Sequence, residues 1–227
     1  MEQEVDGILV AAHELKAPLA VLRQLAFSFD GMDSRNEHIR SEMIGVSERA
    51  IRQVNDLIKV RRLEEGLFVM EPVSVRAVCD EVTEELNNLF LGKKQRLSIK
   101  YTNKNRLVTA NRELLRSVIY NFLINAVHYT SGNTEAKLLV KDHKGKVEIS
   151  VRDYGPELPW DIWKEMRRGW ISKPTSIAMR PGSSGLGLFI ASRFSRYMNA
   201  EIGAVRHRDG TSFYVDLPVS KQARLFK

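Results

Sequence analysis

Cysteine is almost missing from this chain. Cys79 is the only one in 227 residues, so no internal disulfide can form and a reducing compartment fits best. No apolar run approaches the roughly 18 residues needed to cross a bilayer, and no secretory leader is recognisable at the start. The expected location is therefore cytoplasmic, either as a soluble protein or as the cytoplasmic part of a membrane-anchored one. Basic blocks interleaved with aromatics are absent too. The formal charge of +7 is spread over 35 Lys and Arg mixed with 28 acids, which argues against a nucleic-acid grip and suits a nucleotide or an acidic protein partner. With 43% hydrophobic and 28% charged residues, the composition is that of a globular protein large enough for one big or two small cores.

The first feature that is present lies in residues 8–29. Ile8, Ala12, Leu15, Leu19, Leu22, Ala26 and Phe29 alternate in steps of four and three, the seam of a helix that packs on other helices. His13 and Glu14 fall beside that seam. Pro18 lacks an N–H, frees the carbonyl of Glu14 and is expected to kink the helix near His13. A second helix follows the polar break Asp30-Gly31-Met32-Asp33-Ser34, with Ile39, Met43, Val46, Ala50 and Leu57 on one stripe and Ile44, Ile51 and Ile58 on an adjacent one. Ser34 or Asp33 would cap its start, and Arg61, Arg62 and Gly66 suit its end. An antiparallel hairpin of two such helices cannot bury two stripes by itself. A homodimer forming a four-helix bundle can.

Beyond Gly66 the periodicity changes. A helix is expected from Glu71-Pro72-Val73-Ser74 through about Phe90, then strands at 96–101 and 107–109. An apolar helix capped by Asn111 should run to about Thr130, followed by strands at 136–141 and 147–152 around a turn at His143-Lys144-Gly145. A long irregular stretch spans 155–182. Next come a helix from Leu186 to about Met198 and a hairpin turning at Asp209-Gly210. Without βαβ regularity, this pattern indicates an α+β fold, a sandwich of helices on one face of a mostly antiparallel sheet. An irregular stretch of that length in a compact domain reads as a functional lid.

Four motifs here carry chemistry. Asn121, Asn125 and His128 share one helix face, with Tyr129 one turn beyond Asn125. Asparagine is disfavoured in helix interiors, and a carboxamide oxygen suits Mg²⁺ held jointly with phosphates. Asp153-Tyr154-Gly155-Pro156 follows a strand. Its aspartate can accept from an exocyclic amine such as adenine's, and Gly155 allows a tight turn near the ligand. Gly182-Ser183-Ser184-Gly185-Leu186-Gly187-Leu188 is a glycine-rich loop feeding a helix, where backbone N–H groups can cradle phosphates. In the lid, Lys164, Lys173 and Arg180 could reach a triphosphate.

In this order, the His-Glu helix, the Asn helix, the Asp-x-Gly turn, the lid and the Gly-Leu-Gly-Leu loop resemble the transmitter region of two-component sensor histidine kinases. The resemblance covers almost the whole chain. Residues 1–66 are similar to the dimerisation and histidine-phosphotransfer domain, and 73–220 to the ATP-binding domain shared with gyrase and heat-shock ATPases, with its long ATP lid. It implies His13 as phosphoacceptor and Glu14 as the residue that orients or deprotonates it. By the same resemblance Asn125 is the Mg²⁺ ligand, Asn121 and His128 approach the phosphates and Tyr129 lies by the nucleotide. Asp153 then holds adenine, and Ser184, Gly185, Leu186 and Gly187 line the phosphates at the lid hinge. The implied activity is ATP-dependent histidine autophosphorylation and transfer to an aspartate of a response-regulator receiver domain.

Some residues depart from the family pattern. Ala17 stands where Thr or Asn often positions water, which implies weak phosphatase activity toward the regulator. Glu157 replaces a glycine and would bring bulk and negative charge near the nucleotide. His128 replaces a common Lys or Arg, Ser183 occupies a usual glycine position, and Trp163 and Trp170 stand where phenylalanines are common. A second reading follows from these changes, a dimeric histidine-kinase-like scaffold that has lost catalysis. About a dozen residues precede His13, with no sensor pattern among them, so the input signal is not legible.

Overall fold

A computed structural model describes residues 15, 18, 20–22, 24, 25, 34–63, 65–102, 106–130, 133–167 and 186–221. The chain divides into two compact units, Met1–Glu65 and Gly66–Lys227.

In the first unit, Leu15, Pro18, Ala20, Val21, Leu22, Gln24 and Leu25 are helical, and α1 (Ser34–Leu63) is a continuous 30-residue helix. Arg61 and Arg62 occupy its last turn, favourable at the negative end of the dipole. Gly66 follows with φ +67°, a left-handed conformation that ends helices at little cost only in glycine. The two stripes of α1 differ in burial. Val46 and Ala50 are buried, whereas Ile44, Ile51 and Ile58, each seven residues from the next, are 51%, 61% and 52% exposed.

The second unit holds β1 (Glu71–Ser74), α2 (Val75–Gly92), β2 (Arg96–Tyr101), β3 (Leu107–Ala110), α3 (Arg112–Tyr129), β4 (Glu135–His143), β5 (Lys146–Arg152), α4 (Trp160–Arg167), α5 (Leu186–Tyr197), β6 (Glu201–His207) and β7 (Gly210–Pro218). Five strands form one sheet in the order β2-β4-β5-β7-β6, and β1 and β3 form a separate antiparallel ribbon. Only the β2–β4 pairing in the large sheet is parallel. Alternate residues of the sheet, including Leu138, Val140, Ile149, Val151, Phe213 and Val215, are buried because the period-2 side chains of one face meet the helices. Phe122 of α3 stacks on Phe213 of β7 at 5.9 Å. Arg112 and Arg116 of α3 pair with Glu81 of α2 at 2.6 and 2.8 Å.

Three local expectations change. Residues 71–74 are a strand rather than the first turn of a helix. Pro72 cannot donate a helix hydrogen bond, Val73 buries its side chain opposite Val108, and Ser74 then caps α2 by accepting from the Ala77 N–H. The stretch 155–182 is not irregular throughout. Leu158, Ile162 and Met166, four residues apart and almost fully buried, fold 160–167 into α4. In the last hairpin, His207 pairs with Gly210, so the connecting residues are Arg208 and Asp209, and Gly210 opens β7. The β4–β5 hairpin closes between His143 and Lys146, with Lys144 at φ +48° and Gly145 at φ +78°, the signature of a primed two-residue turn.

Candidate functional site

The site grows from α3. Its apolar residues Phe122, Leu123, Ala126 and Val127 are buried, while Asn121, Asn125, His128 and Tyr129 are half-buried. The two asparagines thus face away from the core, as their spacing predicts. Asn121 donates from Nδ2 to the Ser117 carbonyl at 2.9 Å, which leaves Oδ1 turned toward α5. A Cβ on Gly187 would lie 2.8 Å from that oxygen. Gly187 is therefore the residue that lets the start of α5 come against the Asn face. The Nδ2 of Asn125 is buried and makes no hydrogen bond with the described residues. An orphaned buried amide costs about 1–3 kcal/mol, a cost that a hydrogen-bond acceptor on a bound ligand would offset.

The Asp153 turn meets the other end of α3. Asp153, at the end of β5, is 1% exposed. Its Oδ1 accepts from the Thr211 N–H at 2.9 Å, and its own N–H donates to the Thr211 carbonyl at 2.8 Å. The Arg152 guanidinium donates to the Asp153 carbonyl at 2.6 Å and to Asp209 at 2.5 Å. This crowding explains Gly210. A Cβ there would sit 2.2 Å from the Asp153 carbonyl oxygen, and its φ of +137° is one that residues with a side chain rarely adopt.

Gly155 is the point where the turn passes the helix end. A Cβ on it would fall 2.0 Å from the Tyr129 carbonyl oxygen, so its task is close passage of the turn across the end of α3. The Tyr154 N–H donates to Thr130 Oγ1 at 3.3 Å. The Tyr154 ring lies under the Arg152 guanidinium at 4.5 Å and near the Lys137 ammonium at 5.6 Å. Hydrogen bonding with Tyr154 raises the Lys137 pKa above the ordinary lysine value.

Of the residues expected at the site, Asn121 and Gly187 meet on one side, and Tyr129, Asp153 and Gly155 on the other, with Asn125 and His128 on the helix between. Leu186 is fully buried, so its side chain is core. Lys164 occupies an exposed position of α4 with its ammonium 5.5 Å from the Trp160 ring, directed at that ring. His13, Glu14, Ala17, Trp170, Lys173, Arg180, Ser183, Ser184 and Gly185 lie outside the described residues. The charge of Glu157 is countered: it pairs with Arg206 Nη2 at 2.8 Å, and that guanidinium also covers Trp160 at 5.0 Å.

Two contributors had no signal in the sequence. Thr211 is 58 positions from Asp153, and Gln95 reaches the end of α3 from 32 and 35 positions away. Both are long-range partners made adjacent by the fold. Among the described residues, no group of three or more His, Cys, Asp or Glu side chains could hold a metal ion. No helix among them is long and apolar enough to cross a membrane.

Residues 110–221 match the family described as histidine kinase-, DNA gyrase B- and HSP90-like ATPase. The probable sensor histidine kinase TcrY of Mycobacterium tuberculosis is 26% identical over 213 residues, covering 92% of this chain and 44% of that protein. The chain spans about half the length, or less, of the first curated relatives it matches. Among solved structures, histidine kinase ThkA in complex with the response regulator TrrA aligns with a TM-score of 0.67 at 18% identity, covering 93% of this chain and 60% of that one. Full-length ShkA in complex with AMPPNP aligns at 0.61 and 22%, covering 94% and 46%. At these identities the structural likeness concerns the fold. The Asn helix, the Asp153 turn and Gly187 all fall inside the matched segment, and the sequence relatives extend the likeness to the helices before it. Residues 110–221 thus carry the match to the histidine kinase-, DNA gyrase B- and HSP90-like ATPase family, and the chain as a whole is similar to the transmitter region of sensor histidine kinases.

Proposed function

We propose that this chain is a protein-histidine kinase module that binds Mg·ATP in its second unit, phosphorylates His13 and passes the phosphoryl group to an aspartate of a response regulator. The observation that carries the reading is the convergence at α3. The amide of Asn125 has a buried donor with no hydrogen bond among the described residues, between a glycine pressed on Asn121 and a buried aspartate held by Thr211. Relatives named as sensor kinases and a neighbour solved with an ATP analogue support the nucleotide.

In this reading Asp153 reads the adenine amine, and Asn121, His128 and the N-terminus of α5 with Ser184, Gly185 and Gly187 contact the phosphates. Tyr129 lies by the nucleotide, and Lys173 is the lid cation. Mg²⁺, held by the Asn125 carboxamide oxygen and phosphate oxygens, would neutralise charge on the phosphates. A neutral His13 ring nitrogen attacks the γ-phosphorus in line. The N–P bond forms as the bond to the bridging oxygen breaks, and ADP leaves. Glu14, accepting from the other ring N–H, holds the tautomer. The phosphoryl group then moves to a carboxylate oxygen of the regulator as the N–P bond breaks. The structure of ThkA with TrrA supports a regulator of this kind as partner.

The same reading makes the chain a homodimer. Three isoleucines at heptad spacing, each more than half exposed on α1, form an apolar seam that a four-helix bundle would bury. Residues 1–66 would then be the dimerisation and phosphotransfer domain, and 73–220 the ATP-binding domain.

Incubation with γ-labelled ATP and Mg²⁺ tests the proposal. Label that is acid-labile and alkali-stable, and lost in His13→Gln, is the expected outcome. Nucleotide binding with no label would favour the catalytically silent scaffold, and no binding at all would overturn the nucleotide site.

A further inference from the structure

The end of α3 is gripped from outside the helix. Gln95, in the turn between α2 and β2, is 3% exposed, and its Nε2 donates to the carbonyls of Val127, at 3.1 Å, and of Thr130. These belong to the last turn and cap of α3, where carbonyls have no partner within the helix. Gln95 is itself fixed, because its N–H donates to the Phe90 carbonyl at 2.9 Å. On either side of it, Asn133 N–H donates to Lys94 O at 2.8 Å, and Arg96 N–H to Thr134 O at 3.0 Å. Thr130 passes the connection on. Its N–H closes α3 on Ala126 O at 2.8 Å, while its Oγ1 accepts from Tyr154 N–H, the residue next to Asp153.

The grip holds together the two parts of the site that must keep a fixed spacing. Asn121, Asn125 and His128 ride on α3, and Asp153 rides on the turn. The two backbones touch at Gly155 and Tyr129, where not even a methyl group fits. A capping water could satisfy the α3 carbonyls. Instead a glutamine is buried there with its Oε1 lacking a hydrogen bond among the described residues, an unfavourable arrangement whose return is a defined orientation.

We propose that Gln95 and Thr130 are positioning residues of the nucleotide pocket, a clamp that sets the distance between the Asn face of α3 and the Asp153 turn. This rests on the nucleotide reading above. Neither side chain is asked to touch the ligand.

The test compares Thr130→Val, which keeps shape but removes the acceptor for Tyr154, with Thr130→Ser, which restores it, and with Gln95→Leu. For each full-length variant, the dissociation constant for Mg·AMPPNP, the ATP KM and kcat of autophosphorylation, and the melting temperature without nucleotide are measured. Thr130→Val is expected to raise the dissociation constant and KM about fivefold, as one lost hydrogen bond of geometry would. Its kcat should stay within about twofold and its melting temperature close to wild type, with Thr130→Ser returning both binding values. Gln95→Leu should weaken binding at least as much. Wild-type affinity in Thr130→Val, or a lowered melting temperature with unchanged affinity, would overturn the clamp while leaving the nucleotide reading intact. A wild-type protein that binds no AMPPNP overturns both.

Discussion

Gly155→Ala is the most direct probe of how the site is assembled. The new Cβ would stand 2.0 Å from the Tyr129 carbonyl oxygen, 2.6 Å from its carbon and 2.9 Å from its Cβ. All three atoms belong to or adjoin the backbone of a capped helix end, so no side chain can rotate away. Relief to the 3.0 Å below which real contacts essentially never fall requires the turn and α3 to part by at least about 1 Å. Overpacking of this kind costs about 1–3 kcal/mol. In a unit of this size that corresponds to a fall of about 2–12 °C in melting temperature. The functional loss should be larger, because about 1 Å of misplacement in a positioned site costs on the order of 10²-fold. Differential scanning fluorimetry and the ATP dependence of autophosphorylation read the two effects separately. Gly92→Ala is the control, since nothing lies within 4 Å of its added methyl and alanine is the better helix former. A Gly155→Ala protein with wild-type melting temperature and wild-type ATP affinity would refute the close-passage argument.

Four further outcomes are expected. Gly210→Ala, with a Cβ 2.2 Å from the Asp153 carbonyl oxygen and φ +137°, should weaken nucleotide binding at least about tenfold by displacing the Thr211–Asp153 bonds, as calorimetry would reveal. Glu157→Gly should change ATP affinity less than about twofold, because its half-exposed carboxylate already pairs with Arg206 and such pairs contribute little; tenfold tightening would show that the charge burdens the pocket after all. Burial first, and the nearby Asp80 carboxylate second, push the Cys79 thiol far above its usual pKa. Native protein should therefore resist iodoacetamide until it unfolds. Because the unfolded thiol ionises near about pH 8.5, this contribution to stability is complete below that pH and lost as pH rises past it, a slope that Cys79→Ala should remove. Ile51→Glu, at a position 61% exposed on the α1 seam, should shift the chain from dimer to monomer in sedimentation, and an unchanged dimer would place the interface elsewhere.

Legibility in the sequence followed the range of the interactions. The Asn face of α3 could be read because positions 121, 125 and 128 are joined by helix geometry alone, and the alternation of β4 and β5 could be read because period 2 is local. The helix in 160–167 was also local, carried by Leu158, Ile162 and Met166, but a tryptophan-rich, charged segment obscured the spacing. Residues 71–74 needed more than local information, since Val73 is drawn into a strand by Val108 across the ribbon. The shift of the last turn to Arg208-Asp209 has the same origin. Gly210 is required inside β7 by the Asp153 carbonyl, not at the turn by its own flexibility.

By itself the sequence determined most element types (β1 and α4 apart), the α+β class of the second unit and the residue chemistry offered to a ligand: two amides on a helix, an aspartate after a strand and glycines before a helix. Those are properties of neighbouring residues and of periods of 2 and 3.6. Tertiary structure alone decided how closely these pieces approach and what holds them there. Gln95 meets Thr130, Thr211 meets Asp153, and Arg206 meets Glu157 across separations of 35, 58 and 49 residues. Such contacts depend on sheet order and helix packing, which no local pattern encodes, and the burial that makes them strong exists only once the sheet and helices have closed on each other.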